Sequence, residues 1–491
     1  MVGLLIAGTT SDAGKTLVTT GLCRALARRG VAVAPYKAQN MSNNSMVCTA
    51  GDGRGVEIGR AQWIQAVAAR VNPEAAMNPV LLKPGSDQRS HVVLMGEPWG
   101  AVSSSDWLEG RRALATAAHA AYDDLASRYD VIVAEGAGSP AEINLRAGDF
   151  VNMGLARHAG LPTVVVGDID RGGVFAAFLG TVALLSAQDQ DLVAGFVVNK
   201  FRGNLELLSP GLDDLEKLTG RTVFGAIPWQ PEVWLDSEDA LDLAGRRAAH
   251  PAARRVAVIR LPRISNFTDI DALRLEPDLE VVFASHPDAL ADADLVVLPG
   301  TRSTIADLAW LRSRGLADAV RAHAAAGRPV LGICGGFQML GRTVRDPTGV
   351  EGAVTESAGL GLLDVETDFV AEKALRMPTG HWSGVPASGY EIHHGRIGVS
   401  GPVEEFLGGA RRGQVFGTMW HGAFEGDALR ARFLSETLAI APSGVRFADA
   451  REGRIELLGD LVERHLDVDA LLELAHRGAP AGLPFLPPGA P

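Results

Sequence analysis

Two short runs in this 491-residue chain have the residue types and spacing to do chemistry. The first is Gly8-Thr9-Thr10-Ser11-Asp12-Ala13-Gly14-Lys15-Thr16, after one apolar run and before a helical pattern. Glycines let backbone N–H groups curl around phosphate oxygens, and a helix N-terminus adds positive potential. In such a cradle Lys15 would reach the outer phosphates and Thr16 would hold a magnesium ion. Gly8, Thr9, Asp12 and Gly14 would line the remaining wall. The second run, Pro329 to Gln338, reads PVLGICGGFQ and places Cys334 on a sharp strand-to-helix turn. A thiol there is held at the sheet edge, and the helix N-terminus favours its thiolate. His421, in GTMWHGAF after a strand at Gln414–Thr418, is the candidate base. The backbone N–H groups of Gly300 and Gly335 are candidates for an oxyanion hole.

A triphosphate site also needs acidic metal ligands. Glu135 closes an apolar strand, where open α/β sheets place ligands, and Glu57 in GVEIGRAQ is a second candidate. Asp168, in GDIDRGG, follows a strand and would touch metal or substrate. Asn199 and Lys200 follow the next strand and would contact the nucleotide base.

The elements that must position these groups are short apolar strands alternating with helices. Leu4–Ala7, Val31–Ala34, Val131–Ala134, Thr163–Val166 and Phe196–Val198 read as buried strands. In the helix Leu17–Arg29, residues Val18, Leu22, Ala25 and Leu26 share one face. This is an α/β chain with a mostly parallel sheet. Around Ala244–Arg255 the pattern lapses into an Ala/Arg-rich stretch, taken as a linker. Strands then resume at Val256–Leu261, Leu279–Phe283, Leu295–Leu298 and Val330–Ile333, with helix within Ile305–Ala326. The expected domains are 1–245, a P-loop synthetase domain; 252–445, a second α/β domain; and 446–491, a helical extension (Arg454–Arg477) ending in a Pro/Gly-rich disordered tail.

A formal charge of -12 argues against nucleic acid as the main partner. Three cysteines are too few for a disulfide framework. The N-terminus lacks a basic signal region, and no run approaches the roughly 20 apolar residues of a membrane span. The reading is a cytoplasmic enzyme, with a homo-oligomer left open.

The long loop GTTSDAGKT, the EGAG at Glu135 and the strand-ending Asn199-Lys200 together resemble the dethiobiotin synthetase-like ATPases. That resemblance implies activation of a carboxylate with ATP and Mg2+. Thr10 stands where the related partitioning ATPases carry a lysine. Cys334, His421 and their contexts resemble class I glutamine amidotransferase domains, which release ammonia from glutamine through a thioester. Many of those carry a glutamate two residues after the histidine; here that position is Ala423, and Glu425 lies four residues on.

Almost the whole chain resembles the cobyric acid synthase family. The residues that carry this are Tyr36-Lys-Ala-Gln-Asn-Met-Ser-Asn-Asn44, Glu57-Ile-Gly-Arg-Ala-Gln62, Asn78-Pro-Val-Leu-Leu-Lys-Pro84, Asp168-Ile-Asp-Arg-Gly-Gly173 and Gly389-Tyr-Glu-Ile-His393. The resemblance implies ATP-dependent amidation of the b, d, e and g carboxylates of adenosylcobyrinic acid a,c-diamide, with glutamine as the nitrogen source. For such a polycarboxylate, Lys37, Arg60 and Lys83 are the expected basic pocket, and Gln39, Asn40 and Asn43 its amide contacts.

Overall fold

The computed structural model describes residues 3–86, 89–103, 107–230, 253–352 and 354–490. Most of the expected linker, 244–252, lies outside them. The first sheet has six strands in the order Thr222–Pro228, Val193–Phe201, Thr163–Asp168, Gly3–Gly8, Val131–Glu135 and Val33–Tyr36. All its pairings are parallel. Its central strand, GLLIAG, is buried along its whole length, as a strand covered by helices on both faces must be.

The second strand in sequence begins at Val33, two residues later than its apolar run suggests. The N–H groups of Gly30 and Val31 are still occupied by the carbonyls of Ala27 and Leu26 in the last helical turn. Gly30 takes φ +80 there, a left-handed stop that glycine adopts without strain.

The second sheet has seven strands, ordered Leu279–Ala284, Arg254–Ile259, Leu295–Leu298, Val330–Ile333, Val415–Thr418, Gly409–Arg412 and Glu404–Phe406. The first five run parallel and the last two antiparallel. A further antiparallel pair, Val365–Arg376 with Glu391–Val399, stands outside this sheet. In the first half, Gln39–Met41, Val80–Ser86, Arg89–Leu94 and Glu97–Ser103 make a separate four-stranded sheet.

The C-terminal extension is helical over Phe447–His465 and Val468–Arg477. It packs on the first sheet's side of the molecule, sharing a core with the helix Lys15–Arg28 through Ile455, Leu461, Val462 and Leu471. Gly21 permits the approach, since a Cβ there would lie 2.4 Å from Val462 Cγ2. Arg24 adds ion pairs to Glu452 and Glu456, both at 2.8 Å. The tail departs from the disorder expected of its composition. Leu486 is buried, and its N–H and C=O bond the side-chain amide of Gln190 at 2.8 and 2.9 Å, while Gly489 N–H donates to Ala183 O. One apolar anchor and satisfied backbone groups hold a segment whose average composition argues otherwise.

Candidate active sites and the seam between them

The phosphate loop is shaped by close contacts. Gly14 has φ +100, and a Cβ on it would sit 1.9 Å from Asn199 Nδ2. Asn199 is buried and donates to Ala13 O at 2.9 Å, so it braces the loop from behind. Lys200 spans Asp12 O (2.9 Å) and the Asp168 carboxylate (2.8 Å), and Arg171 reaches Asp12 and Asp168 as well. Asp168 and Lys200 therefore belong to the rim of this loop. Lys15 Nζ donates to the carbonyls of Thr10, Ser11 and Gly138 at 2.9–3.1 Å.

Thr16 and Glu135 are brought together: the threonine hydroxyl donates to Glu135 Oε1 at 2.9 Å. The same carboxylate accepts from Lys37 Nζ at 2.9 Å and Gln65 Nε2 at 2.6 Å. Burial would raise the Glu135 carboxyl, but the Lys37 ammonium and these hydrogen bonds hold it below its ordinary range. An anionic oxygen beside a threonine hydroxyl at a phosphate loop fits Mg2+, which takes one or two protein ligands and completes its shell with phosphate and water. Among the described residues no cluster of three metal-ligating side chains occurs.

Glu57 does not join this pair. It is buried where Lys83 from its own domain and Lys373 from the other both close on its carboxylate, and Ser45 Oγ donates at 2.6 Å. Burial opposes the charge, but the two ammonium groups hold it well below the carboxylate range. Burial pushes Lys83 itself down to about 8. The expected basic pocket is thereby corrected: Lys37 pairs with Glu135, Lys83 with Glu57, and Arg60 with Glu425 at 3.1 Å while lying over the Trp63 ring. Charges buried this deeply need partners, and the acids supply them. Asn40 donates to Gln62 Oε1. The side-chain oxygens of Gln39 and Asn43 are buried and, among the described residues, have no hydrogen-bond partner.

In the second domain Cys334 has φ +50 and ψ -108, a conformation a residue with a Cβ occupies at a cost of about 1–3 kcal/mol. The flanking glycines make the turn possible: a Cβ on Gly336 would stand 1.9 Å from Leu298 O. The turn holds the thiol on the side of the sheet where His421 follows the neighbouring strand, close enough for Cys334 to act on the charge of the ring. On the other side of the ring, Nδ1 lies 2.7 Å from Asp269 Oδ2, and Asp269 Oδ1 accepts from Gly422 N–H at 2.7 Å. Burial works against the imidazolium, yet Asp269 and Cys334 together raise His421 to about 10. Tyr390 exchanges two backbone hydrogen bonds with His421 and stacks on its ring at 5.4 Å.

Asp269 was not singled out from sequence, and Glu425, weighed for this role, pairs with Arg60 and Arg451 instead. The available signal was the acidic pair Asp269 and Asp271 just beyond the first strand of the second sheet. Gly300 and Gly335 both border the thiol–imidazole pair. A Cβ on Gly300 would come within 2.9 Å of His421 Cε1, and one on Gly335 within 2.6 Å of Thr301 Cγ2.

Cys334 opens onto a cavity of about 300 Å3 whose walls come from both domains. Asn43, Lys83 and His91 line it from the first; Asn266, Arg302, Glu351, Lys373 and His394 line it from the second. Asn266 Oδ1 also accepts from Ser45 N–H at 2.9 Å, tying the domains beside the catalytic turn. Burial lowers His393 and His394 to about 4 and His91 to about 3, so all three cavity imidazoles are neutral at ordinary pH.

A phosphate loop in one half, and in the other a strained thiol with a histidine base held by a carboxylate, define a nucleotide-binding domain coupled to a glutamine amidotransferase domain. The family model described as the CobQ/CobB/MinD/ParA nucleotide binding domain matches residues 4–242, and that of the CobB/CobQ-like glutamine amidotransferase domain matches 255–429. The chain is 79% identical to the cobyric acid synthase of Mycolicibacterium gilvum and 80% identical to that of Mycolicibacterium vanbaalenii, over 491 residues and the full length of each. It is 76% identical over 494 aligned positions to the cobyric acid synthase of Mycobacterium tuberculosis, again covering both chains completely. The chain belongs to the cobyric acid synthase family, and it is a glutamine-dependent amidotransferase. Among the described residues, no helix is long and apolar enough to cross a membrane.

Proposed function

We propose that this enzyme amidates the b, d, e and g carboxylates of adenosylcobyrinic acid a,c-diamide, using one ATP and one glutamine for each, and so yields adenosylcobyric acid in cobalamin biosynthesis. The observation that carries this reading is the Cys334–His421–Asp269 arrangement opening onto a cavity walled by both domains. We place the reaction in the cytoplasm, where ATP and glutamine are supplied.

In the second domain the Cys334 sulfur attacks the glutamine side-chain carbonyl carbon. The N–H groups of Gly300 and Gly335 take the oxyanion. His421 protonates the departing nitrogen, the C–N bond breaks, and ammonia and a thioester result. Water, deprotonated by His421, then cleaves the thioester to glutamate and restores the thiol.

In the first domain, Lys15 and the loop N–H groups hold the ATP phosphates, and Thr16 and Glu135 would hold Mg2+, which when bound neutralises charge on the transferring phosphoryl group. A substrate carboxylate attacks the γ-phosphorus and ADP leaves. Ammonia, passed through the seam without protonation, then displaces phosphate from the acyl phosphate to give the amide. Gln39, whose buried side-chain oxygen has no hydrogen-bond partner among the described residues, is the substrate-facing polar group in this reading.

The test is incubation with ATP, Mg2+, glutamine and adenosylcobyrinic acid a,c-diamide, with the corrinoid followed by mass spectrometry. Four successive losses of about one mass unit, each an OH replaced by NH2, are expected. An unchanged corrinoid alongside glutamate release would retain the amidotransferase chemistry and reject this substrate.

A further inference from the structure

The cavity beside Cys334 lies at the small end of the roughly 300–1,000 Å3 range of ligand sites, a size suited to a free amino acid. Its charged groups differ in how they are satisfied. Lys83 and Lys373 are both taken up by Glu57. Glu351 accepts from Thr304 N–H at 2.7 Å and from the Thr304 hydroxyl at 3.1 Å. Arg302 stands apart: among the described residues, no acceptor takes a hydrogen bond from its guanidinium. Glu351 and Glu57 act on it only through the field. A guanidinium turned into a cavity without a hydrogen-bonding partner is costly to maintain, and its planar fork matches one kind of ligand group, a carboxylate gripped through two parallel N–H···O bonds.

The chain position sharpens this. Arg302 lies two residues past Gly300, which borders the thiol–imidazole pair. A glutamine whose side-chain amide rests between Cys334 and the N–H groups of Gly300 and Gly335 runs its other end along Thr301 and Arg302. Glu351 also lines the cavity, but burial raises its carboxyl to about 7, so the Arg302 guanidinium is the charge there that matches an amino acid's carboxylate.

We propose that Arg302 is the specificity-determining residue of the glutaminase site, holding the α-carboxylate of glutamine, an inference that rests on the glutaminase reading above. The experiment compares L-glutamine with L-glutaminamide, in which that carboxylate is an uncharged amide, as substrates of the full-length enzyme, with ammonia release as readout. The wild type is expected to prefer glutamine on the order of 100-fold in kcat/KM, the scale of a lost buried charge pair. Arg302→Met should lose about that factor on glutamine through KM and leave glutaminamide within about threefold, so that the preference collapses. Arg302→Lys, which keeps the charge and loses the fork, should fall between and covers the case in which the methionine variant does not fold.

An unchanged preference in a folded variant, or an equal loss on both substrates, overturns the proposal. A wild type that consumes neither substrate overturns the glutaminase reading instead.

Discussion

Asp269 Oδ2 lies 2.7 Å from His421 Nδ1 across 152 residues of sequence, and the other Asp269 oxygen grips the N–H of Gly422, the next residue after the histidine. One carboxylate thereby fixes both the ring and the backbone that carries it. Nδ1 is the donor toward Asp269, which leaves Nε2 for the Cys334 sulfur.

Asp269→Asn keeps the shape and removes the charge. Glutamate release is expected to fall roughly 10²- to 10⁴-fold, because the ring loses both its enforced tautomer and the stabilisation of its cation. Amidation driven by added ammonia should be nearly unaffected. A glutaminase rate within threefold of wild type would show that Asp269 does not orient the base.

The same pair sets a pH dependence. His421 stands at about 10 in the folded chain, above its ordinary value of 6.5. A raised value of this kind contributes stability that is fully present below 6.5 and is lost as pH rises toward 10, at no more than about 1.4 kcal/mol per pH unit. Melting curves of the wild type should therefore decline more steeply across this window than those of Asp269→Asn. Parallel curves would count against the charged imidazole.

Lys15 and Cys334 should separate the two half-reactions. Cys334→Ala is expected to abolish glutamine use and leave ammonia-driven amidation largely intact. Lys15→Ala should remove amidation with either nitrogen source by about 10²-fold or more, since both need the activated carboxylate. Assays with glutamine and with ammonium chloride, run side by side, decide both. Loss of both activities in Cys334→Ala would contradict two separate sites.

Glu57→Gln would leave the ammonium groups of Lys83 and Lys373 facing each other without an anion. Removing one member of such a buried set costs about 3–5 kcal/mol. The melting temperature should drop while nucleotide affinity in the presence of magnesium stays unchanged. The reverse pattern would return Glu57 to the metal site.

Why that expectation failed is instructive. Glu57 and Glu135 both stand in apolar runs with a glycine one or two residues on, and sequence alone does not reveal which carboxylate meets Thr16. Lys373 decides it, and Lys373 sits on the strand Val365–Arg376, where buried and exposed residues mix irregularly. Continuous apolar runs such as GLLIAG in the first sheet and LVVL in the second mark the strands beneath the two candidate sites, so Lys15, Thr16, Glu135, Cys334 and His421 can be placed from them. The antiparallel strands between residues 343 and 412 carry no such run, and they supply the cavity wall at Lys373, His393 and His394. Asp269 escaped for a different reason: its partner is remote in sequence, and a short 3-10 turn has no periodicity to flag it.

The C-terminal helices carry a consequence for dividing the chain. Residues 447–477 follow the amidotransferase half in sequence, but Ile455, Leu461, Val462 and Leu471 cover the helix Lys15–Arg28 that opens at the phosphate loop. A gene split between residues 231 and 252 would strand the lid of the first half on the second polypeptide. The amino-terminal fragment would expose the face of Val18 and Leu22 and aggregate when made alone; co-expressed fragments would be bound to each other by that helix as firmly as any peptide linker. A circular permutant that starts at residue 253 and joins residue 490 to residue 3 keeps the lid on the same polypeptide as the helix it covers, and marks where the architecture, as distinct from the reading order, has its real division.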